Sequence, residues 1–225
     1  MSRRDNQAKD ERKKARSLNK LARKQKIQNE LQRVIIACEG TVTEKLYFQD
    51  LFDELILEHN IAKTSFIIAK HKHTNPTGVL KDLENELKKD PDFEHKWIVI
   101  DRDAPRTNES GHSLGDFNNA LEQAKAKKIG VAYSNPCFEL WYLLHFEYRD
   151  SGIDREDIVD KLFEINGYTK NSHGMYTLLK PFQSIAIKNA NRLLENYRLQ
   201  THLPANDNPC TNVVALVEVL NNIKT

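Results

Sequence analysis

The chain has 225 residues, of which 39% are hydrophobic and 29% are charged, and its formal net charge is +2. This length and composition allow one well-buried core with at most a small subdomain, and they exclude collagen-like, mucin-like and wholly disordered proteins. No apolar run approaches the roughly 18 residues of a membrane helix, and no apolar segment follows the basic N-terminus, so we expect a cytoplasmic protein with neither a membrane span nor a secretory signal.

The N-terminal segment, residues 1–32, is a basic arm. Residues 1–33 contain 12 Lys and Arg against 4 Asp and Glu, a net charge of +8, whereas the rest has 22 against 28, a net charge of −6. Residues 1–30 have no aromatic residue and few large apolar residues, so they cannot form a core alone. We expect a flexible or helical arm that engages nucleic acid or the acidic face of a partner; the alternative is a solvated helix.

The next part of the chain, residues 33–135, alternates strands with amphipathic helices. Apolar runs predict four strands near 33–38, 65–69, 96–100 and 130–134. The helix after the first strand is predicted to begin at the capping sequence Thr41-Val42-Thr43-Glu44. Near-continuous apolar strands separated by helices favour an α/β fold, a Rossmann-like open and mostly parallel four-stranded sheet with helices on both faces.

After residue 135 the sequence predicts helices only. Asn135 and Pro136 are expected to start an aromatic-rich helix that extends to Phe146. Further helical segments are predicted near 156–165, 182–199 and 212–223. Residues 136–225 should therefore form a helical C-terminal part that packs on the core.

Carboxylates follow the first and third predicted strands, at the sheet edge where open parallel sheets bind ligands. Glu39 comes directly after the first strand, and Asp101 and Asp103 come at the end of the third. Alternation along an extended segment directs both aspartates to one side, and Glu39 reaches them if the two strands are neighbours. Such hard oxygen ligands predict an Mg²⁺ (or Mn²⁺) site, whereas simple turn chemistry is the alternative for each motif alone.

Further side chains are expected near this end of the sheet. Glu139 lies just after the fourth strand, either as a catalytic acid or as an acid stabilised by the helix dipole. Residues 70–73, Lys-His-Lys-His, follow the second strand, where they would contact phosphate or form a solvated loop. The three cysteines, Cys38, Cys137 and Cys210, have neither disulfide nor zinc-site spacing, so no zinc site is predicted.

Four separated motifs give the chain a resemblance to a known family. They are Cys38-Glu39-Gly40 with Thr43-Glu44 and Tyr47-Phe48, then Asp101-Arg102-Asp103, then Ser134-Asn135-Pro136 with Phe138-Glu139, Trp141 and His145-Phe146, and finally Asn208-Pro209 with Thr211 and Val213. Over residues 33–223 the motifs resemble the RloB family of phage-resistance (abortive infection) proteins. Over residues 33–135 the order of the acidic motifs also resembles the Toprim domain of topoisomerases, primases and OLD-type nucleases.

This resemblance implies a Toprim-like fold and a metal-dependent nuclease of phage defence, often encoded beside an ABC-type or AAA ATPase. It identifies Glu39 as acid/base or metal ligand, and Asp101 and Asp103 as Mg²⁺ (or Mn²⁺) ligands. We therefore expect a phosphodiesterase that acts on DNA or RNA, since neither a recognition helix nor an RNA-stacking motif distinguishes the two. Two alternatives stay open: a non-catalytic sensor or adaptor that binds the ATPase, and phosphoryl transfer on the same metal platform.

Overall fold

A computed structural model of the chain describes residues 12–14, 16, 17, 19, 33–103, 112–170, 172–200 and 202–223. The prediction for the basic arm therefore falls mainly outside the described residues. Those arm residues that are described are helical and exposed to solvent.

The strands of the described chain are β1 (Val34–Cys38), β2 (Phe66–Ile68), β3 (His95–Asp101), β4 (Gly130–Asn135) and β5 (Cys210–Thr211). They form one sheet in the order β2-β1-β3-β4-β5. β1 pairs in parallel with β2 and β3, and β3 with β4, whereas β5 runs antiparallel to β4. The mixed α/β class and the four predicted strands are confirmed. The expected strand number of four was wrong, since the described sheet has five.

The fifth strand, β5, was missed because two residues are too few to produce an alternating pattern. Ser134 pairs with Thr211 and Asn135 with Cys210. The hydroxyls of Ser134 and Thr211 are 2.9 Å apart, and Thr211 Oγ1 also donates to the Tyr133 carbonyl at 3.1 Å. The C-terminal part therefore extends the sheet as well as contributing helices.

Helices connect and cover these strands. In chain order they are α1 (Thr43–His59), α2 (Pro76–Leu87), α3 (Leu114–Ala126), α4 (Glu139–Leu143), α5 (Arg155–Asn166), α6 (Met175–Leu179), α7 (Gln183–Arg198) and α8 (Val213–Asn221). α4 begins later than the sequence predicted, because Asn135 stays paired with Cys210 in the sheet and does not cap the helix. None of the helices in the described ranges combines the length and apolar character needed to cross a membrane.

An aromatic cluster joins α1 to α4 and so positions the residues at the start of both helices. The ring centroid of Tyr47 lies 5.7 Å from those of Phe138 and Tyr142. Trp141 Nε1 donates a hydrogen bond to the Tyr47 hydroxyl at 2.9 Å. All four side chains are buried, so the first turns of α1 and α4 are held together at the carboxyl end of the sheet.

Candidate active site

The carboxyl end of β1 lies beside a cleft of about 300 Å³, and Asp101 and Asp103 at the end of β3 contact its lining residues Glu39 and Arg155. The two strands are neighbours, with Cys38 opposite Val99, so the residues that follow them come together. Oε2 of Glu39 accepts a hydrogen bond from the backbone N–H of Asp101 at 3.1 Å. The adjacency of the first and third strands, on which the predicted contact depended, is thus present in the fold.

Asp101 and Asp103 are brought together by one cation, Arg155, at the start of α5. Nη2 of Arg155 donates to Oδ2 of Asp101 at 2.9 Å, and its Nε lies 3.4 Å from Oδ1 of Asp103. Asp103 has a positive φ of 29°, and its backbone N–H donates to the carbonyl of Pro136 at 3.1 Å. Sequence reasoning did not identify Arg155, because it lies in no motif and contacts the acids only through the fold.

Arg102, between the two aspartates, is directed away from the cleft. Its Nε donates to the carbonyl of Ala205 and its Nη1 to the carbonyl of His112, both at 3.0 Å. This is the alternation that an extended segment imposes on successive side chains. Arg102 therefore links the site to the C-terminal part through its hydrogen bonds.

His112 is a second residue that sequence reasoning missed. Its Nε2 forms a hydrogen bond with Oε1 of Glu39. Burial is the largest single effect and disfavours the imidazolium, but the hydrogen bond with Glu39 and the charges of Glu39, Asp103 and Asp116 together outweigh it and raise the pKa of His112. The sequence signal was only a histidine in a polar loop after the third strand, which is not specific.

Two further carboxylates, Glu44 and Glu139, line the cleft and are 4% and 3% exposed. Oε1 of Glu44 accepts from the backbone N–H of Gly40, and Oε1 of Glu139 accepts from the Tyr168 hydroxyl, each at 3.2 Å. The sequence placed Glu139 near the site, and the structure does so too. The sequence predicted Glu44 as part of a helix cap, whereas here it belongs to the acid cluster itself.

Burial and mutual repulsion shift the acids of this cluster toward their protonated forms. Burial, and then the charges of Glu139 and Glu39, raise the pKa of Glu44 to about 7. Burial, and then the charges of Glu44 and Glu39, raise the pKa of Asp101 well above its usual range. Burial also raises the pKa of Glu39, although His112 opposes the shift. A bound cation would relieve this repulsion, since it favours the ionised carboxylates.

The donor set fits a hard divalent cation such as Mg²⁺ or Mn²⁺, because it consists of carboxylate oxygens. Oδ1 of Asp101 is buried and has no hydrogen-bond partner, so one acceptor is left for a ligand. As arranged here, no group of three or more His, Cys, Asp or Glu side chains in the described ranges surrounds a metal-sized position. Arg155 and His112 supply the positive charge instead. Glu39, Asp101 and Asp103 are the side chains that could hold such an ion, in place of these contacts.

Comparison with known proteins gives one match. No curated protein and no solved structure matches the chain significantly. A family model described as RloB-like protein matches residues 34–220, a range that contains all five strands and every acid of the cleft. The chain therefore belongs to the RloB-like family.

Proposed function

We propose that this chain is a metal-dependent phosphodiesterase that cleaves DNA or RNA in phage defence, built on a Toprim-like core. The observation that carries the proposal is the contact of Glu39 with the backbone of Asp101, beside an Asp101 oxygen that has no partner. The parallel order of β1 and β3 and membership of the RloB-like family support it. Ligand sites of open parallel sheets lie at this edge.

The acids and bases of the cleft suggest a division of roles. A bound Mg²⁺ or Mn²⁺ would activate water and neutralise charge on the phosphate. Glu39 is oriented by two partners, the Asp101 N–H and the His112 ring, so it is suited to hold or accept a proton at a fixed place. Arg155 can exchange its carboxylate partners for phosphate oxygens, because a guanidinium binds both in the same forked geometry.

The proposal is tested by cleavage of plasmid, single-stranded DNA and tRNA in Mg²⁺, Mn²⁺ or chelator, with and without the partner ATPase. Cleavage should require a divalent ion. Asp101→Asn and Asp103→Asn keep the side-chain shape but delete charge, so each should abolish cleavage in a folded protein. Glu39→Gln should be equally damaging, and Glu139→Gln partial. Asp160→Asn, an exposed acid of α5, is the matched control. Full activity of both aspartate variants would refute the proposal.

A second candidate function is a non-catalytic sensor or adaptor that binds a partner ATPase. The observation that favours it is the neutralisation of the acids by the chain's own cations, Arg155 and His112. In that case Asp101→Asn and Asp103→Asn would leave phage protection and ATPase co-purification intact, and no nucleic acid would be cleaved. Plaque counts on cells that express each variant with the ATPase distinguish the two functions.

A further inference from the structure

Beside the acid cleft lies a second cleft, of about 240 Å³, with a basic lining. Its charged and polar groups come from Lys45 of α1 and from Lys70 and His71 in the loop after β2. Gly40 lines both clefts. The two clefts therefore meet at the residue next to Glu39.

The loop that follows β2, residues 70–73, is divided into two parts by its contacts. Oδ2 of Asp82, in α2, accepts from the backbone N–H groups of Lys72 at 2.7 Å and His73 at 2.9 Å, and Oδ1 lies 2.7 Å from Nδ1 of His73. Asp82 is 3% exposed, so these bonds fix the second half of the loop against α2. His73 and the backbone of Lys72 thus serve the loop's own structure.

The first half of the loop is fixed to the end of β1 and leaves its polar groups available. Nδ1 of His71 lies 3.2 Å from the carbonyl oxygen of Cys38, which can only accept, so Nδ1 carries the proton. Nε2 of His71 is the nitrogen left for a ligand. Lys45 and Lys70 are exposed, and neither forms an ion pair with an acid in the described part of the chain.

Cations line the acid cleft as well. Lys170 and Arg155 belong to its lining, so positive side chains are present in both clefts. A cluster of carboxylates repels a polyanion such as a nucleic acid. Neighbouring cations must therefore supply the attraction that holds the polyanion at the site. A single phosphate would engage one group of these cations, whereas a strand with successive phosphates engages both.

We propose that the cleft formed by Lys45, Lys70 and His71 binds a phosphate of a nucleic-acid strand whose neighbouring phosphodiester lies at the acid cleft. This inference rests on the proposed function, since it assigns a substrate-phosphate subsite to the same site. The two lysines act as flexible point charges on the phosphate, and they position the strand without reading its sequence.

The test measures binding in chelator, where neither cleavage nor a metal contributes. Fluorescence anisotropy gives the affinity of the full chain for a labelled single-stranded DNA and its RNA counterpart over a series of salt concentrations. For Lys45→Ala and Lys70→Ala, the slope of log affinity against log salt should fall by about 0.7 for each phosphate that is no longer neutralised. The weakening should be the same for all sequences. Lys72→Ala, of equal charge in the same loop but outside the cleft lining, should leave the slope near its original value.

Three outcomes decide the inference. Slopes and affinities that are equal for Lys45→Ala, Lys70→Ala and Lys72→Ala overturn the subsite, whatever the acid cleft does. If Lys45→Ala and Lys70→Ala weaken the binding of a mononucleotide as much as that of an oligonucleotide, the cleft is an anion site only and the proposed binding of a strand is wrong. If the wild-type chain cleaves nothing but Lys45→Ala and Lys70→Ala still reduce the salt slope, the subsite is supported and the phosphodiesterase proposal fails by itself.

Discussion

Nη2 of Arg155, in α5, donates a hydrogen bond of 2.9 Å to Oδ2 of Asp101, at the end of β3. The C-terminal helices thereby supply the countercharge for the acids of the parallel sheet. Burial is the largest single effect and disfavours the charge on Arg155, but the negative charges around it, that of Asp101 first, together outweigh burial and raise the pKa of the guanidinium. Under the proposed function, a divalent ion at Asp101 would have to compete with this pair, and Arg155 would then couple metal binding to the contact between the sheet and α5.

Removal of Arg155 should therefore destabilise the fold in the absence of metal, and added metal should restore part of the lost stability. Arg155→Met leaves the buried Asp101 and the partly buried Asp103 without this cation, which should lower the free energy of unfolding by about 3–5 kcal/mol in chelator. Added Mg²⁺ should raise the melting temperature of the variant more than that of the wild-type chain, because it replaces the missing positive charge. Thermal unfolding with and without Mg²⁺ measures both effects.

The control for this experiment is Arg198→Met. Arg198 is 68% exposed and lies 3.9 Å from Glu195 of its own helix, so its removal should change the stability by less than about 1 kcal/mol. An Mg²⁺ shift that is identical in wild type, Arg155→Met and Arg198→Met would show that Arg155 does not compete with the cation.

Gly40 should contribute to stability and activity because the absence of a side chain leaves room for the Glu44 carboxylate. A Cβ atom at this position would overlap the Glu44 carboxylate, which accepts the Gly40 N–H. Gly40→Ala should lower the free energy of unfolding by about 1–3 kcal/mol and reduce metal-dependent cleavage, since Glu44 has to move within the acid cluster. Chemical denaturation and the cleavage assay measure the two effects.

Gly115→Ala provides the matched comparison with the opposite expected sign. A Cβ atom at Gly115, in the first turn of α3, meets nothing within 4 Å. Alanine there should stabilise the helix by about 0.5–1 kcal/mol. Equal gains in stability for both variants would mean that Glu44 is free to leave Gly40.

The sequence predicted the parts of the site that depend on local pattern. Glu39, Asp101 and Asp103 each follow an apolar run at a fixed offset, and parallel strands bring such positions to one edge. The order of the first four strands along the chain was predictable for the same reason. The predicted grouping of these three acids therefore depended on one long-range contact, the pairing of β1 with β3.

The missed parts depend on contacts between distant segments. Arg155 is 54 positions from Asp101, and His112 is 73 positions from Glu39, and neither lies in a motif. Glu44 has the spacing of a helix cap, yet its burial and the nearby charge of Glu139 give it a different role. Packing, which periodicity does not encode, decides which side chains these residues meet.

Glu44 should make the stability of the chain fall as the pH rises. The carboxyl group is protonated in both states below pH 4.5, and between pH 4.5 and about 7 the unfolded state releases its proton first. Wild-type stability in chelator should therefore decrease across this window, by up to about 3 kcal/mol. Glu44→Gln keeps an oxygen for the Gly40 N–H but cannot ionise, so it should remove the part of the decrease that Glu44 causes, while the raised pKa values of Asp101 and Glu39 leave the rest.

Urea unfolding at several pH values compares Glu44→Gln with the wild type and with Glu122→Gln, an exposed acid of α3. Only the first substitution should stabilise the chain above neutral pH. If the difference between Glu44→Gln and the wild type does not grow with pH, the carboxyl group is not held in its protonated form by the fold.

His145 should produce the opposite pH dependence. It is 1% exposed, its Nδ1 donates to the Trp141 carbonyl at 2.8 Å, and its Nε2 is buried without a partner. Burial lowers the pKa of His145 from 6.5 to about 4. As the pH falls below 6.5, the unfolded state takes up a proton that the folded state accepts only near pH 4, so stability should decrease by up to about 3 kcal/mol.

His145→Gln keeps a donor for the Trp141 carbonyl and has no proton to gain, so acidification should destabilise it less than the wild type. The free energy of unfolding in urea is measured for both proteins at about pH 5 and about pH 7. Glu44 raises the stability of both proteins equally on acidification, so its contribution cancels when the variant is compared with the wild type. His173→Gln, an exposed histidine, should behave as the wild type does. The same loss of stability on acidification in His145→Gln and the wild type would contradict a buried neutral imidazole, and would assign the acid sensitivity of the chain to other groups.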